Sequence, residues 1–490
     1  MSSIATPGAL GTLRRAAARP GWPEAVLALA VIAVVVLGAV SPLALVAIAG
    51  ATLAVGALTR RPFLIAASLI VCMGNVKVNY YLGFFTVFPE YLALVVAAFL
   101  GFAAWLARPA WPPERRLVLA FVVWAFTGLL SVPFAAAVSR VLPRVVLIAL
   151  SLVTWLTVVI TVDTRRRLWR ALGLWEIVAT AYAVYGIVQM IGLVAGFDTN
   201  LHFLAPYSNP DLLIGVGAPV RRRIGDVFRA NSMFNDPNIL AGFLAAGMTA
   251  TLALREYHAE TGRRLRAAFE VVALAIMGTC LLLTQSRSGV LAFVAGAAIV
   301  FAHRPRSLGR PALWIGIAAG AASILGVAIL LGVDYTLLFS RFADISDTND
   351  TSNKQHLGVF LYGLQLLARY PLTGVGLGNF GLFYGAEQDA WYSKMMTHSA
   401  PLTYFAESGI PGGLAFITLW VLLLRRTWTP SPPAGDRAAH AARLALFASL
   451  VALLVANLFY DYITRTFVWV IAGLGVCASR LAGPAPVRRA

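Results

Sequence analysis

The sequence predicts an all-α polytopic integral membrane protein with about 12–14 transmembrane helices and a long outer loop that contains amphipathic helix. Three observations carry that prediction. Of the 490 residues, 59% are hydrophobic and 12% charged, against roughly 45–50% and about 25% in soluble domains. Mean hydropathy is +0.79, which excludes a soluble enzyme. The apolar residues also gather into runs bounded by Arg or Pro/Gly, many of them near the roughly 20 residues that a bilayer-spanning helix needs.

In chain order, spans are expected near residues 22–40, 43–59, 62–76, 88–107, 117–134, 143–162, 168–196, 237–254, 267–284, 288–302, 311–332, 400–424, 443–460 and 463–479. The second and third are short, so the number falls to twelve if short pairs are re-entrant. Arg14, Arg15 and Arg19 precede the first run, as they would in a signal peptide, but no small-residue cleavage site follows cleanly. We read that run as a retained span. The chain then divides into N-terminal spans (1–196), an outer Arg-rich loop (197–236), central spans (237–332), a long outer loop (333–399) and C-terminal spans (400–490).

Net charge is +18, from 39 basic and 21 acidic residues. In a soluble chain this excess would point to nucleic acid, whereas here the basic residues must first be sorted by membrane side. With the N-terminus inside and each span reversing direction, 26 of the 39 fall on cytoplasmic loops, as the positive-inside rule requires. The 13 left outside include Arg221, Arg222, Arg223, Arg229 and Arg287, and these need another explanation. Cys72, Cys280 and Cys477 sit inside apolar runs without metal-ligand or disulfide-framework spacing. Neither a metal nor a cofactor is implied.

The two outer loops are long for their position, which marks them as functional candidates. The first ends in Arg229-Ala-Asn-Ser-Met-Phe-Asn-Asp-Pro-Asn238, a turn entering a helix. Arg287 sits in a tight hairpin, Thr284-Gln-Ser-Arg-Ser-Gly289. Either arginine can be an interfacial residue that snorkels to the headgroups, or part of an anion clamp; the Arg221–Arg223 triplet suits phosphate or lipid headgroups in the same way. In the second loop Leu357, Phe360, Leu361, Leu364 and Leu367 recur at helical spacing, so residues 355–369 form an amphipathic helix along the membrane surface. A glycine turn, Gly374-Val-Gly-Leu-Gly378, follows and exposes amides suited to an anion. Asp344, Asp347 and Asp350 lack the glycine and terminal glutamate of a calcium loop and read as a solvated acidic stretch. His398 has no metal-ligand partner at i+3 or i+4, which leaves acid/base work as its natural role.

Three stretches together resemble the O-antigen ligase/polymerase superfamily of bacterial envelope glycosyltransferases: Arg229 to Asn238, the Arg287 hairpin, and Arg369-Tyr-Pro-Leu-Thr-Gly-Val-Gly-Leu-Gly-Asn-Phe380 followed by His398 and Glu407-Ser-Gly-Ile-Pro-Gly412. The resemblance covers roughly residues 225 to 425; where members often carry His-Asn, this chain has His398-Ser399, so no role resting on that Asn carries over. It implies glycan transfer from undecaprenyl pyrophosphate on the periplasmic face of the bacterial inner membrane. The favoured acceptor is a hydroxyl of lipid A-core, making the activity O-antigen ligation in lipopolysaccharide biosynthesis. O-antigen polymerisation and protein O-glycosylation are the alternatives from the same donor. Arg229 and Arg287 would hold the pyrophosphate, Arg221 to Arg223 would assist, and His398 would be the general base. A transporter or flippase is disfavoured because its charges should lie near the bilayer midplane, while these spans are almost free of internal charge.

Overall fold

The computed structural model describes residues 63–73, 80–81, 86–87, 114–195, 220–221, 228–234, 236–303, 351–387, 396–428 and 436–481. Ten of the fourteen expected spans fall there, and each is a helix: α1 (Phe63–Cys72), α2 (Arg115–Leu130), α3 (Val138–Thr161), α4 (Arg165–Ala195), α5 (Pro237–Glu260), α6 (Arg264–Leu283), α7 (Arg287–Ala302), and three more below. The spans expected at 22–40, 43–59, 88–107 and 311–332 lie outside the described residues, as do Arg222, Arg223 and the three loop aspartates. Between α7 and the last spans stand α8 (Thr351–Arg369) and α9 (Phe380–Glu387); α10 (Ala400–Thr427), α11 (Arg437–Asn457) and α12 (Thr466–Leu481) close the chain. Seven of the described helices are long and apolar enough to cross a membrane, while α1, α7 and α12 are shorter. Two antiparallel pairs of two-residue strands, β1 (Tyr80–Tyr81) with β2 (Thr86–Val87) and β3 (Val220–Arg221) with β4 (Phe228–Arg229), add no layer. The protein is an all-α, multi-pass membrane protein.

The bundle is organised around α5, which is buried along nearly its whole length and packs against α6, α7 and α11. Its sequence, rich in Ala and Gly, explains why: lipid tails supply no hydrophobic force between helices, so association depends on close approach and interhelical hydrogen bonds. Ser449 on α11 donates to the Ala246 carbonyl of α5 at 2.9 Å. A Cβ on Gly289 would fall 2.5 Å from the Ala241 methyl, so the first turn of α7 is pressed against that of α5. The opposite faces of α2, α6 and α7 present Leu119, Phe126, Val272 and Val294 to the outside, as lipid-facing surfaces should.

Several of the buried charges among the described residues are paired. Near one end, Arg266 bridges Glu176 and Glu270, and Glu270 also meets His258 Nδ1 at 2.6 Å. This is the end where α6 starts beside Arg263 and Arg264 and where α10 ends at Arg425 and Arg426. At the other end α5, α7 and α10 begin, and α6 and α11 finish.

The amphipathic helix foreseen at 355–369 is α8, which starts four residues earlier. Val359, Tyr362 and Leu366 form its buried face, packed with Phe380, Tyr384 and Ala406. The stripe Leu357, Phe360, Leu361 and Leu364 points outward and is exposed, as an apolar face lying on lipid requires.

Candidate functional site

Arg229 ends β4, whose partner strand sets Val220 opposite Arg229 and Arg221 opposite Phe228. The Arg221 backbone therefore runs beside the Arg229 segment. The turn that follows is held from two sides: Ala230 donates to the Leu283 carbonyl at 3.0 Å, and Ser232, at φ 51°, exchanges two hydrogen bonds with the Gln189 amide of α4. Asp236 then caps α5, accepting from the Asn238 amide at 2.6 Å, with Pro237 in the first turn where its missing N–H costs nothing. Arg229 is oriented by donating through Nε to the Thr284 carbonyl at 2.7 Å and through Nη2 to Asn238 Oδ1 at 3.0 Å.

The hairpin between α6 and α7 is as tight as its sequence implies. Gln285 takes φ 50°, and Ser286 caps α7 by accepting from Gly289 N at 3.3 Å. Arg287 is thus the first residue of α7, and the Gly289–Ala241 contact keeps it beside the start of α5.

His398 comes from the segment entering α10. It takes a left-handed backbone, φ 54°, between Met396 and a hydroxyl network in which Thr397 and Thr403 meet at 2.6 Å. Its ring lies 4.4 Å from that of His356 on α8 and 5.8 Å from that of Tyr460. Burial first, and the His356 charge second, lower its pKa to about 4. Tyr460 sits after α11 and donates to Asp236 Oδ2 at 3.0 Å. Burial and that carboxylate hold its phenol protonated, far above the usual range.

These elements enclose one cavity of about 800 Å³. Arg229, Arg287 and His398, read from the sequence as the three key residues, all line it. So do Asn238, Gln285, Ser288, Thr397, Tyr460 and His356. One wall is apolar, made by Val290, Leu291 and Val294 of α7, Leu357 and Phe360 of α8, and Leu458 and Phe459. Most of that wall is also open to the outside; Val294 is 54% and Phe459 46% exposed. The cavity therefore combines two arginines and two histidines with an apolar side whose residues are exposed on the outside of the bundle. His356 and Tyr460 were not singled out in the sequence. The available signals were a histidine beside the apolar stripe of α8 and the Tyr460-Asp461 pair at the end of an apolar helix.

The glycine turn does cradle an anion, but one supplied by the chain itself. Helix α10 breaks at Gly409, φ 67°, just before Pro411. Pro411 has no N–H for the Glu407 carbonyl, and Gly376 N supplies one at 2.9 Å. Ile410 N turns to the Pro371 carbonyl at 2.7 Å, and Val375 N takes over the vacated Ala406 carbonyl at 3.1 Å. The Glu407 carboxylate accepts from Gly378 N at 2.7 Å and Phe380 N at 3.1 Å. A Cβ on Gly374 would fall 2.3 Å from the Glu407 backbone, and one on Gly409 2.6 Å from that of Leu372, so both must be glycine. Glu407→Gln sets an amide NH₂ against one of the two N–H donors and should cost about 1–3 kcal/mol. The expected result is a lower thermal midpoint in detergent; an unchanged midpoint would remove the carboxylate from the fold's support.

No curated protein matches the chain. Residues 272–417 match the family described as O-antigen ligase, a stretch from within α6 to the middle of α10 that holds Arg287, α8, the glycine turn, His398 and Glu407, while Arg229 lies before it. The resemblance read from the motifs is thereby met over that stretch, which is similar to the O-antigen ligase family.

Proposed function

We propose that the protein transfers a glycan from undecaprenyl pyrophosphate to a hydroxyl of lipid A-core, at the periplasmic face of the bacterial inner membrane. The observation that supports this most is the single cavity shared by Arg229, Arg287 and His398, with an apolar side open to lipid. A polyprenyl chain can remain in the bilayer against Val294 and Phe459 while its pyrophosphate enters between the two guanidinium groups. Arg suits that task because its planar fork pairs bidentately with phosphate and keeps its charge. The arginine-rich ends of α6 and α10 lie at the opposite end of the bundle, which favours the periplasm for the site.

In the reaction the acceptor O–H bond breaks and its proton passes to His398. The oxygen forms a bond to the anomeric carbon, and the bond from that carbon to the pyrophosphate oxygen breaks, its electron pair leaving with the lipid pyrophosphate. Negative charge grows on the leaving group, so Arg229 and Arg287 bind more strongly in the transition state than in the ground state. Attack opposite the leaving group inverts the anomeric centre. Neither metal nor cofactor enters the scheme, and chelator should leave turnover unchanged.

The test is product identity. Purified protein in detergent receives undecaprenyl-pyrophosphate-linked glycan with lipid A-core, or with further donor alone. A lipid-A-linked product is expected. Longer lipid-linked glycan from donor alone would instead identify a polymerase, and no product from either mixture would overturn both transfer to lipid A-core and polymerisation.

A further inference from the structure

Each turnover leaves one proton on His398, and that proton must depart before the next acceptor is activated. His398 is poorly placed to release it alone. Its Nδ1 is buried, with no hydrogen-bond partner among the described residues. Of the other ionisable side chains on the cavity wall, Arg229 and Arg287 have no lone pair with which to take a proton. Tyr460 already carries its proton and donates it to Asp236, and Asp236 lies behind Tyr460 rather than on the wall. His356 remains. It lines the same cavity, its ring is 4.4 Å from that of His398, and it stands on the exposed side of α8. Imidazole is the side chain that changes charge near neutral pH, and rings in that contact are within reach of a proton transfer made directly or through one water.

We propose that His356 is a proton relay: it takes the acceptor's proton from His398 and releases it to the periplasmic water. The inference rests on the glycosyl-transfer reading above. The sequence of bonds is acceptor O–H to His398 nitrogen, His398 to His356 nitrogen, and His356 to water, with no oxidant or further reactant involved. Two imidazolium ions in that contact repel each other, so a proton arriving on His356 must leave before His398 is recharged. His356 touches neither the anomeric carbon nor the acceptor oxygen in this scheme; it is a positioning residue that acts through His398.

The test uses the full chain in lipid nanodiscs with an undecaprenyl-pyrophosphate-linked oligosaccharide and lipid A-core. Wild type, His356→Ala and His356→Phe are compared, each with and without added imidazole, after thermal midpoints confirm folding. His356→Ala should lower kcat by about tenfold or more, leave both KM values within about twofold, and recover with imidazole. His356→Phe keeps a packed ring but carries no proton; it should be as slow and, with its space filled, show no recovery. Wild-type kcat in His356→Phe would make the contact a matter of packing alone and overturn the relay. So would a slow His356→Ala that imidazole fails to restore, or one changed only in KM. Absence of turnover in wild type is a different failure, which overturns the reading of transfer to lipid A-core on which the relay rests.

Discussion

His398→Ala should lower turnover by about 10²- to 10⁴-fold, the usual contribution of a positioned general base, while the lipid-linked donor still binds. The pH dependence gives the same assignment a second readout. A base must be neutral to accept a proton, so activity falls as pH drops through its pKa. In the free protein that value is about 4, lowered by burial and then by His356; the acid limb of kcat/KM, which reports the free enzyme, should lie near there. Bound pyrophosphate places negative charge beside the ring and favours imidazolium, so the limb in kcat should move to higher pH. Both limbs should vanish in His398→Ala. Near-normal turnover per folded molecule in that variant would take His398 out of the chemistry.

Arg287→Ala should lower kcat/KM for the donor by about 10²- to 10³-fold, as removal of a donor to a developing oxyanion does elsewhere. Arg287→Lys should recover only part of it, since an ammonium keeps the charge and loses the bidentate fork. Arg229 also ties the Thr284 carbonyl to Asn238 at the start of α5, so its removal disturbs local structure as well as the donor. Unchanged donor affinity and turnover in Arg287→Ala would sink the clamp and leave an interfacial arginine.

The helices were legible because hydropathy acts locally: a run of about 20 apolar residues has few alternatives to a span. The period of Leu357, Phe360, Leu361 and Leu364 likewise disclosed α8, and its exposed stripe is the surface that spacing implied. Arg229, Arg287 and His398 stood out as chemistry-bearing residues on outer connections, and they line one cavity. His356 stayed hidden because its meaning lies in a ring contact between α8 and the segment before α10, which no local pattern encodes. Tyr460 likewise gains its role from Asp236, more than 200 residues earlier. The glycine turn was half legible: its amides do face an anion, but Glu407 supplies the charge from another element. The clue was an acidic residue placed two positions before a glycine and four before a proline inside an apolar run.

That broken stretch of α10 has a mechanical consequence. Carbonyls 406 and 407 are satisfied by amides from the 371–380 turn, and the turn's Pro371 carbonyl is satisfied by α10 in return. Lifting the turn away would strand several peptide groups beside hydrocarbon, at a few kcal/mol each. The surface helix α8, joined to that turn through Tyr370 and packed on Ala406, therefore cannot behave as a hinged flap over the cavity. It is a fixed jamb. On the proposed reading, a bulky glycan has to be admitted by give in the rest of that apolar wall, where Val290, Leu291 and Val294 of α7 and Leu458 and Phe459 stand with apolar side chains that can shift rotamers without unpairing any backbone group.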